Sequence, residues 1–165
     1  MLRAVTEAYN LQNADGTLFQ ATVSRIGLHI LPLQMHDANG KLVRAATLLD
    51  GNISVPSTLR MPSEHVRALC AAVTASAGIS LELNYPWLDM AFAPNGLRPP
   101  KAAAELLSTK EKERFSVVWG AADVTAREAL ESLIDLSAAK LTWYLFCQPS
   151  AKPENRSCVL NMDAK

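Results

Sequence analysis

This sequence is poor in the residues that usually announce chemistry. Three cysteines, three histidines and seven glycines are spread over 165 residues, and aromatic residues make up only 6%. The histidines do not converge: His29 and His36 alternate across one expected strand and its turn, and His65 has no carboxylate–histidine pattern around it. No histidine follows His65, and no serine sits in the glycine frame of a nucleophile elbow. Cys70 and His65 are five residues apart on one expected helix, which turns their side chains more than about 100° away from each other. Glu128 and Glu131 lie three apart on another helix, but Glu128 fits a capping role better than an acid–base pair. Neither common phosphate-binding glycine loop is present. Nothing here makes a positive case for an enzyme, and no cofactor or metal is expected.

Charge of one sign is also missing. Sixteen basic residues balance sixteen acidic ones, so no global field favours nucleic acid or an anionic membrane. The densest basic cluster, Lys110 to Arg114, is interrupted by Glu111 and Glu113 and reads as a solvated helix face. No apolar run approaches the roughly 20 residues that span a bilayer, and Met1 to Glu7 lacks the apolar core of a secretory signal. The chain therefore reads as soluble, either as it stands or as the mature part of an exported precursor.

What is present is periodicity. Leu2, Val5 and Tyr9, with Ala4, Ala8 and Leu11, recur at helical intervals and predict a first helix that stops at Asn13–Gly16. Leu18 to Val23 and Gly27 to Met35 read as strands. Pro32 cannot donate to a ladder, so the second strand lies at an edge or contains a bulge. Asp37-Ala38-Asn39-Gly40 predicts a turn, and Lys41 to Ala45 returns as a hairpin arm. A first β-α-β unit follows: a strand at 52–55, a helix with Ser63 as N-cap and Gly78 as terminator, and a strand through Ile79, Leu81 and Leu83.

The second unit runs from Phe115 to Leu145. Thr125-Ala126-Arg127-Glu128 has capping-box spacing, and Ala126, Ala129, Leu130, Leu133 and Ile134 share one helical face. The strand from Leu141 is apolar on both faces, which predicts a position that is central or covered on both sides, with Trp143 buried beneath the helix. Cys158 to Met162 reads as a returning strand. The fold class is α+β, with helices of two β-α-β units packed on a mixed or antiparallel sheet. The length suits one domain, or two small lobes at 1–84 and 115–165 joined by a Pro-rich segment at 85–114. The units match in order and length but share few identities; duplication and the common habit of packing helices on sheets both account for that.

The stretches Ala-Asp-Val-Thr-Ala-Arg-Glu-Ala-Leu at 122–130 and Leu-Thr-Trp-Tyr-Leu at 141–145 carry a resemblance. With their surroundings, residues 115–146, they resemble the short N-terminal (STN-like) domains of secretins and TonB-dependent receptors. The resemblance spans about a third of the chain, ending before the Cys158 strand and leaving out the first helix, the hairpin and the Pro-rich segment. It implies a periplasmic protein-interaction module without catalytic residues.

Two features bear on location and partner. Cys147 and Cys158 sit at the facing ends of two expected strands, and either form a bridge, pointing to an oxidising compartment, or are two unrelated buried thiols. Trp87, Met90 and Phe92 are concentrated among Pro86, Pro94, Pro99 and Pro100, and either dock a partner or fold back as a lid. The reading adopted is an exported, non-catalytic protein-interaction or assembly module using Trp87, Met90 and Phe92 or an adjacent strand edge. Its alternative is a small enzyme or ligand-binding protein with a cleft beside residues 85–100. A polar pocket with converging titratable groups favours the second; a flat apolar patch or open sheet edge favours the first.

Overall fold

The computed structural model describes residues 2–23, 28–37, 39–45, 47–85, 88–92, 113–148 and 157–164. The chain divides into two compact units, Met1–Asp50 and Gly51–Lys165. The boundary thus falls at Asp50, and both β-α-β segments lie in the second unit. Residues on either side of the Pro-rich segment are tied together there by strand pairing, so 1–84 and 115–165 are not separate lobes.

In the first unit, helix α1 (Leu2–Gln12) precedes an antiparallel meander of β1 (Leu18–Val23), β2 (Leu28–His36) and β3 (Leu42–Arg44). The Asn10 side chain imitates a neighbouring strand: its amide donates to the Phe19 carbonyl at 2.6 Å and its oxygen accepts the Phe19 N–H at 2.9 Å. The rings of Tyr9 and Phe19 meet edge-on beside it, 5.7 Å apart. Strand β2 is central, and the register slips between Leu18 and Phe19 opposite Pro32. Pro32 is tolerated because β3 reaches only Gln34 to His36. The expected turn is present, with the Asp37 carboxylate accepting the N–H groups of Asn39 and Lys41 and Gly40 at φ 75°.

The second unit contains β4 (Asn52–Arg60), α2 (Pro62–Ala77), β5 (Ser80–Asn84), the short α3 (Leu88–Ala91), β6 (Val117–Thr125), α4 (Ala126–Ile134), β7 (Leu141–Gln148) and β8 (Ser157–Ala164). Its class is α+β, with mixed and antiparallel sheets. The β-α-β segments do not each stay within one sheet. Their first strands, β4 and β6, pair antiparallel as a two-stranded sheet, while β5 and β7 flank β8 in a second sheet of order β5-β8-β7. Strand β8 runs parallel to β5 and antiparallel to β7. Among the described residues β7 is therefore at an edge, not central, and its Tyr144 and Phe146 face is exposed rather than covered.

Helix α2 touches strands of both sheets and packs on α4. Val66, Leu69, Cys70 and Val73 of α2, Ala129, Leu130 and Leu133 of α4, and Leu160 and Met162 of β8 are buried in this core. Gly78 ends α2 in the left-handed conformation at φ 68°, as its lack of a Cβ allows. The start of α2 differs from expectation: its N-cap is Met61, Pro62 occupies the first turn, and Ser63 lies inside the helix. Thr125 caps α4 as its spacing requires, accepting the Glu128 N–H at 3.2 Å while the Glu128 carboxylate accepts the Thr125 N–H at 3.0 Å. Trp143 is half-buried, with the Arg127 guanidinium of α4 5.7 Å from its ring centre.

The two-stranded sheet is irregular. Pro56 and Ser57 of β4 oppose the single Gly120, and Ala122 and Asp123 of β6 oppose the single Ser54. At the first bulge a Cβ on Gly120 would lie 2.5 Å from the Ser57 Cα, so only glycine fits. At the second, Asp123 adopts φ 51°, and its carboxylate accepts the Asn52 side-chain amide at 3.1 Å.

Candidate protein-interaction surface

Of the aromatic cluster expected to face a partner, Trp87 lies outside the described residues. Met90 is half-buried, and Phe92 is only 8% exposed. Their segment is stitched down at both ends. The Asp89 carboxylate accepts the Ser63 N–H and hydroxyl, each at 2.7 Å, and the Ala91 carbonyl accepts the Ser137 hydroxyl at 2.8 Å and the Ala139 N–H at 3.1 Å. Asp89 thus supplies from a distance the helix cap that Ser63 was expected to provide. Phe92 and Leu88 contribute to the core, which is what a lid folded back on it would do. Most of the cleft considered beside residues 85–100 lies outside the described residues.

Cys147 and Cys158 are bridged, directly opposite each other on β7 and β8 with Cα atoms 4.0 Å apart. The bond locks the register of an antiparallel pair in which a slip of one residue would exchange the two faces. Cys70 is a free, buried thiol. Burial pushes it up to about 12, so at neutral pH it stays protonated and does not attack the bridge.

The histidines remain apart. His29 and His36 both lie on β2, and His65 is fully buried on α2. The His65 Nε2–H donates to the Val117 carbonyl at 2.9 Å, and its ring meets Trp119 edge-on at 5.3 Å. Trp119 in turn donates to the Ser132 hydroxyl at 3.0 Å. His65 is thus a packing residue that ties α2 to β6. Among the described residues no group of three or more His, Cys, Asp or Glu side chains could hold a metal ion. A shallow, open hollow of about 490 Å³ is lined by Glu7, Asn10, Leu11 and Ala14. The amide of Asn10 is already committed to Phe19, and Glu7 is the one titratable side chain among the described lining residues.

Tyr9 on α1 of the first unit is 45% exposed; among the described residues of the second unit the exposed aromatic groups lie on β7. Tyr144 and Phe146 project from the outer face of the three-stranded sheet, 54% and 60% exposed, next to Val159 across from Phe146. Apolarity fades across that face: β5 shows Ser80, Glu82 and Asn84 there, and Asn84 donates to Asn161 at 2.9 Å. Among the described residues, no strand pairs with the far side of β7. A second apolar pair, Leu59 opposite Val118, is exposed on the two-stranded sheet. Sequence reading named a strand edge as a candidate interface without singling out Tyr144 and Phe146. The signal was present in the uncharged run at 141–148, which central and unblunted edge strands share.

No helix among the described residues is long and apolar enough to cross a membrane. Comparison with models of protein families, with curated proteins and with solved structures found no match.

Proposed function

We propose that this protein is a non-catalytic, exported protein-interaction or assembly module whose docking surface is the open edge and outer face of β7. The observation that carries this reading is the pair Tyr144 and Phe146, exposed on an edge strand that has no charged residue, proline or glycine. An edge of that kind is a template for strand addition, in which backbone groups give affinity and alternate side chains give specificity. The Cys147–Cys158 bridge supports the reading twice. It holds β7 rigid before docking, which lowers the entropy lost on binding, and it belongs to an oxidising compartment such as the periplasm. The likeness of residues 115–146 to STN-like domains favours the same class of role.

A photo-crosslinking residue placed at Tyr144 or Phe146 tests this in the cell of origin. Both positions should yield a discrete protein adduct, while the same residue at Glu82, on the polar side of the same sheet, should not. Absence of any adduct at 144 and 146 would remove the reading. Free thiols at Cys147 and Cys158 in protein alkylated directly from those cells would remove the exported location.

A further inference from the structure

We infer that the strand docking on β7 is β7 of a second copy of this chain, antiparallel, about a two-fold axis beside Leu145. This rests on the reading of β7 as the docking edge and adds the identity of the partner. Among the described residues the other strand edges are shorter, broken or partly occupied, β3 being three residues long and ending in Arg44. Strands β4 and β6 are broken by two register shifts and by Pro56, the backbone of Phe19 on β1 is held by Asn10, and β5 is five residues long with Glu82 at its centre. Strand β7 keeps an unbroken register with β8 over eight residues.

The backbone of β7 fixes which groups point outward. Cys147 and Cys158 are opposed at a Cα separation of 4.0 Å, the close spacing of a non-hydrogen-bonded antiparallel pair. The N–H and C=O of Cys147 therefore point away from β8, and the two-residue period of a strand gives those of Leu145 the same direction. Two copies of Leu145 then exchange reciprocal N–H···O=C bonds across the axis. That register sets Tyr144 opposite Phe146 of the second copy, and Phe146 opposite its Tyr144, on the outer face. Both are non-hydrogen-bonded positions of the new seam, where side chains come closest and aromatic pairs stabilise most.

Charge does not oppose self-pairing. In a two-fold antiparallel pair about Leu145 each residue meets the one placed symmetrically across the axis, where like charges would repel. Residues 141–148 carry no charge, and the whole chain has a formal net charge of zero. The exposed apolar groups of the outer face are concentrated where the seam would form and thin out towards β5.

Sedimentation equilibrium on the intact, oxidised protein from micromolar to millimolar concentration reads the association. A monomer–dimer equilibrium is expected, lost in the double variant Tyr144→Lys, Phe146→Lys, whose circular dichroism and melting should match the parent. Register is read by cysteine crosslinking with Cys70 buried and the native bridge in place. A mixture of Tyr144→Cys and Phe146→Cys chains should crosslink faster than either variant alone. A monomer at every concentration, a dimer indifferent to the double lysine variant, or faster self-crosslinking of either cysteine variant would overturn the inference. If the protein is monomeric and the photo-crosslinker at 144 and 146 captures a different protein, the second copy is excluded and the module reading stands. If it is monomeric and captures nothing, both fall.

Discussion

The two β-α-β segments of the second unit follow the same plan but are specified differently. In β6-α4-β7 the instructions are local: Thr125 and Glu128 cap each other within one turn, and α4 starts where the strand stops. In β4-α2-β5 they are partly remote: the Glu64 carboxylate accepts the Met61 N–H at 3.2 Å within the first turn, but Asp89, 26 residues after Ser63, provides the acceptor for the Ser63 N–H. The contrast extends to the second strands. Strand β5 is short, carries Glu82 and lies beside β8 in parallel, whereas β7 is longer, uncharged and covalently fastened to β8. Similar elements in the same order thus end as a polar sheet margin in one segment and one that exposes Tyr144 and Phe146 in the other.

The largest expected break is at the seam between the segments. Trp119 belongs to β6 but packs on His65 of α2, so Trp119→Ala should lower stability by about 3–5 kcal/mol, read from the denaturant midpoint. A loss no greater than that of an exposed substitution would mean the segments are not joined there. Next comes Gly120→Ala, where the added Cβ meets Ser57 backbone rather than a yielding side chain. Forcing the strands apart should cost about 1–3 kcal/mol; an unchanged melting temperature would show that the bulge has room.

The remote and local caps are then compared directly. Asp89→Ala leaves the Ser63 N–H and hydroxyl without their acceptor and should cost about 1–2 kcal/mol, against about 1 kcal/mol for Thr125→Ala. If Asp89→Ala is the milder of the two, α2 does not depend on its distant cap. The smallest effect is a pH dependence. The Thr125 hydroxyl and N–H lower the Glu128 carboxyl below its ordinary value. A depressed folded-state value adds stability that is complete above the ordinary carboxyl range and is lost as pH falls through the lowered value. Melting of the parent and of Glu128→Gln should therefore converge on acidification; a constant difference down to strong acid would contradict the assignment.

What could be read from the residues was what neighbours in sequence decide. Gly78 and Thr125 stood at the helix ends their chemistry predicts, and the facing ends of two strands brought Cys147 to Cys158. Ser63 misled because a good N-cap residue followed Pro62, and nothing nearby revealed that a carboxylate 26 residues on would occupy its N–H. Strand β4 extends to Arg60, beyond the expected end at Val55, because a bulge absorbs Pro56 against Gly120 on a strand far along the chain. Strand β7 was expected to be central or covered on both sides because hydrophobic pattern reports which side chains avoid water, not what covers them. Phe92 and Tyr144 show the same limit from opposite sides: the aromatic residue in the Pro-rich segment is buried, and the one in the regular strand is displayed.

The bridge between β7 and β8 also bears on what happens when the chain is cut. Strand β8 is the middle member of its sheet and the last element described, so its place depends on the connection that carries it there. Because Cys147 and Cys158 close an 11-residue span, a protease acting anywhere between them severs the polypeptide without releasing the strand. The two pieces of the nicked protein stay covalently joined until the bridge is reduced, and only then can the central strand leave. In a compartment with secreted proteases and no thiol buffer, a single covalent link makes the sheet independent of the continuity of the chain between the two cysteines.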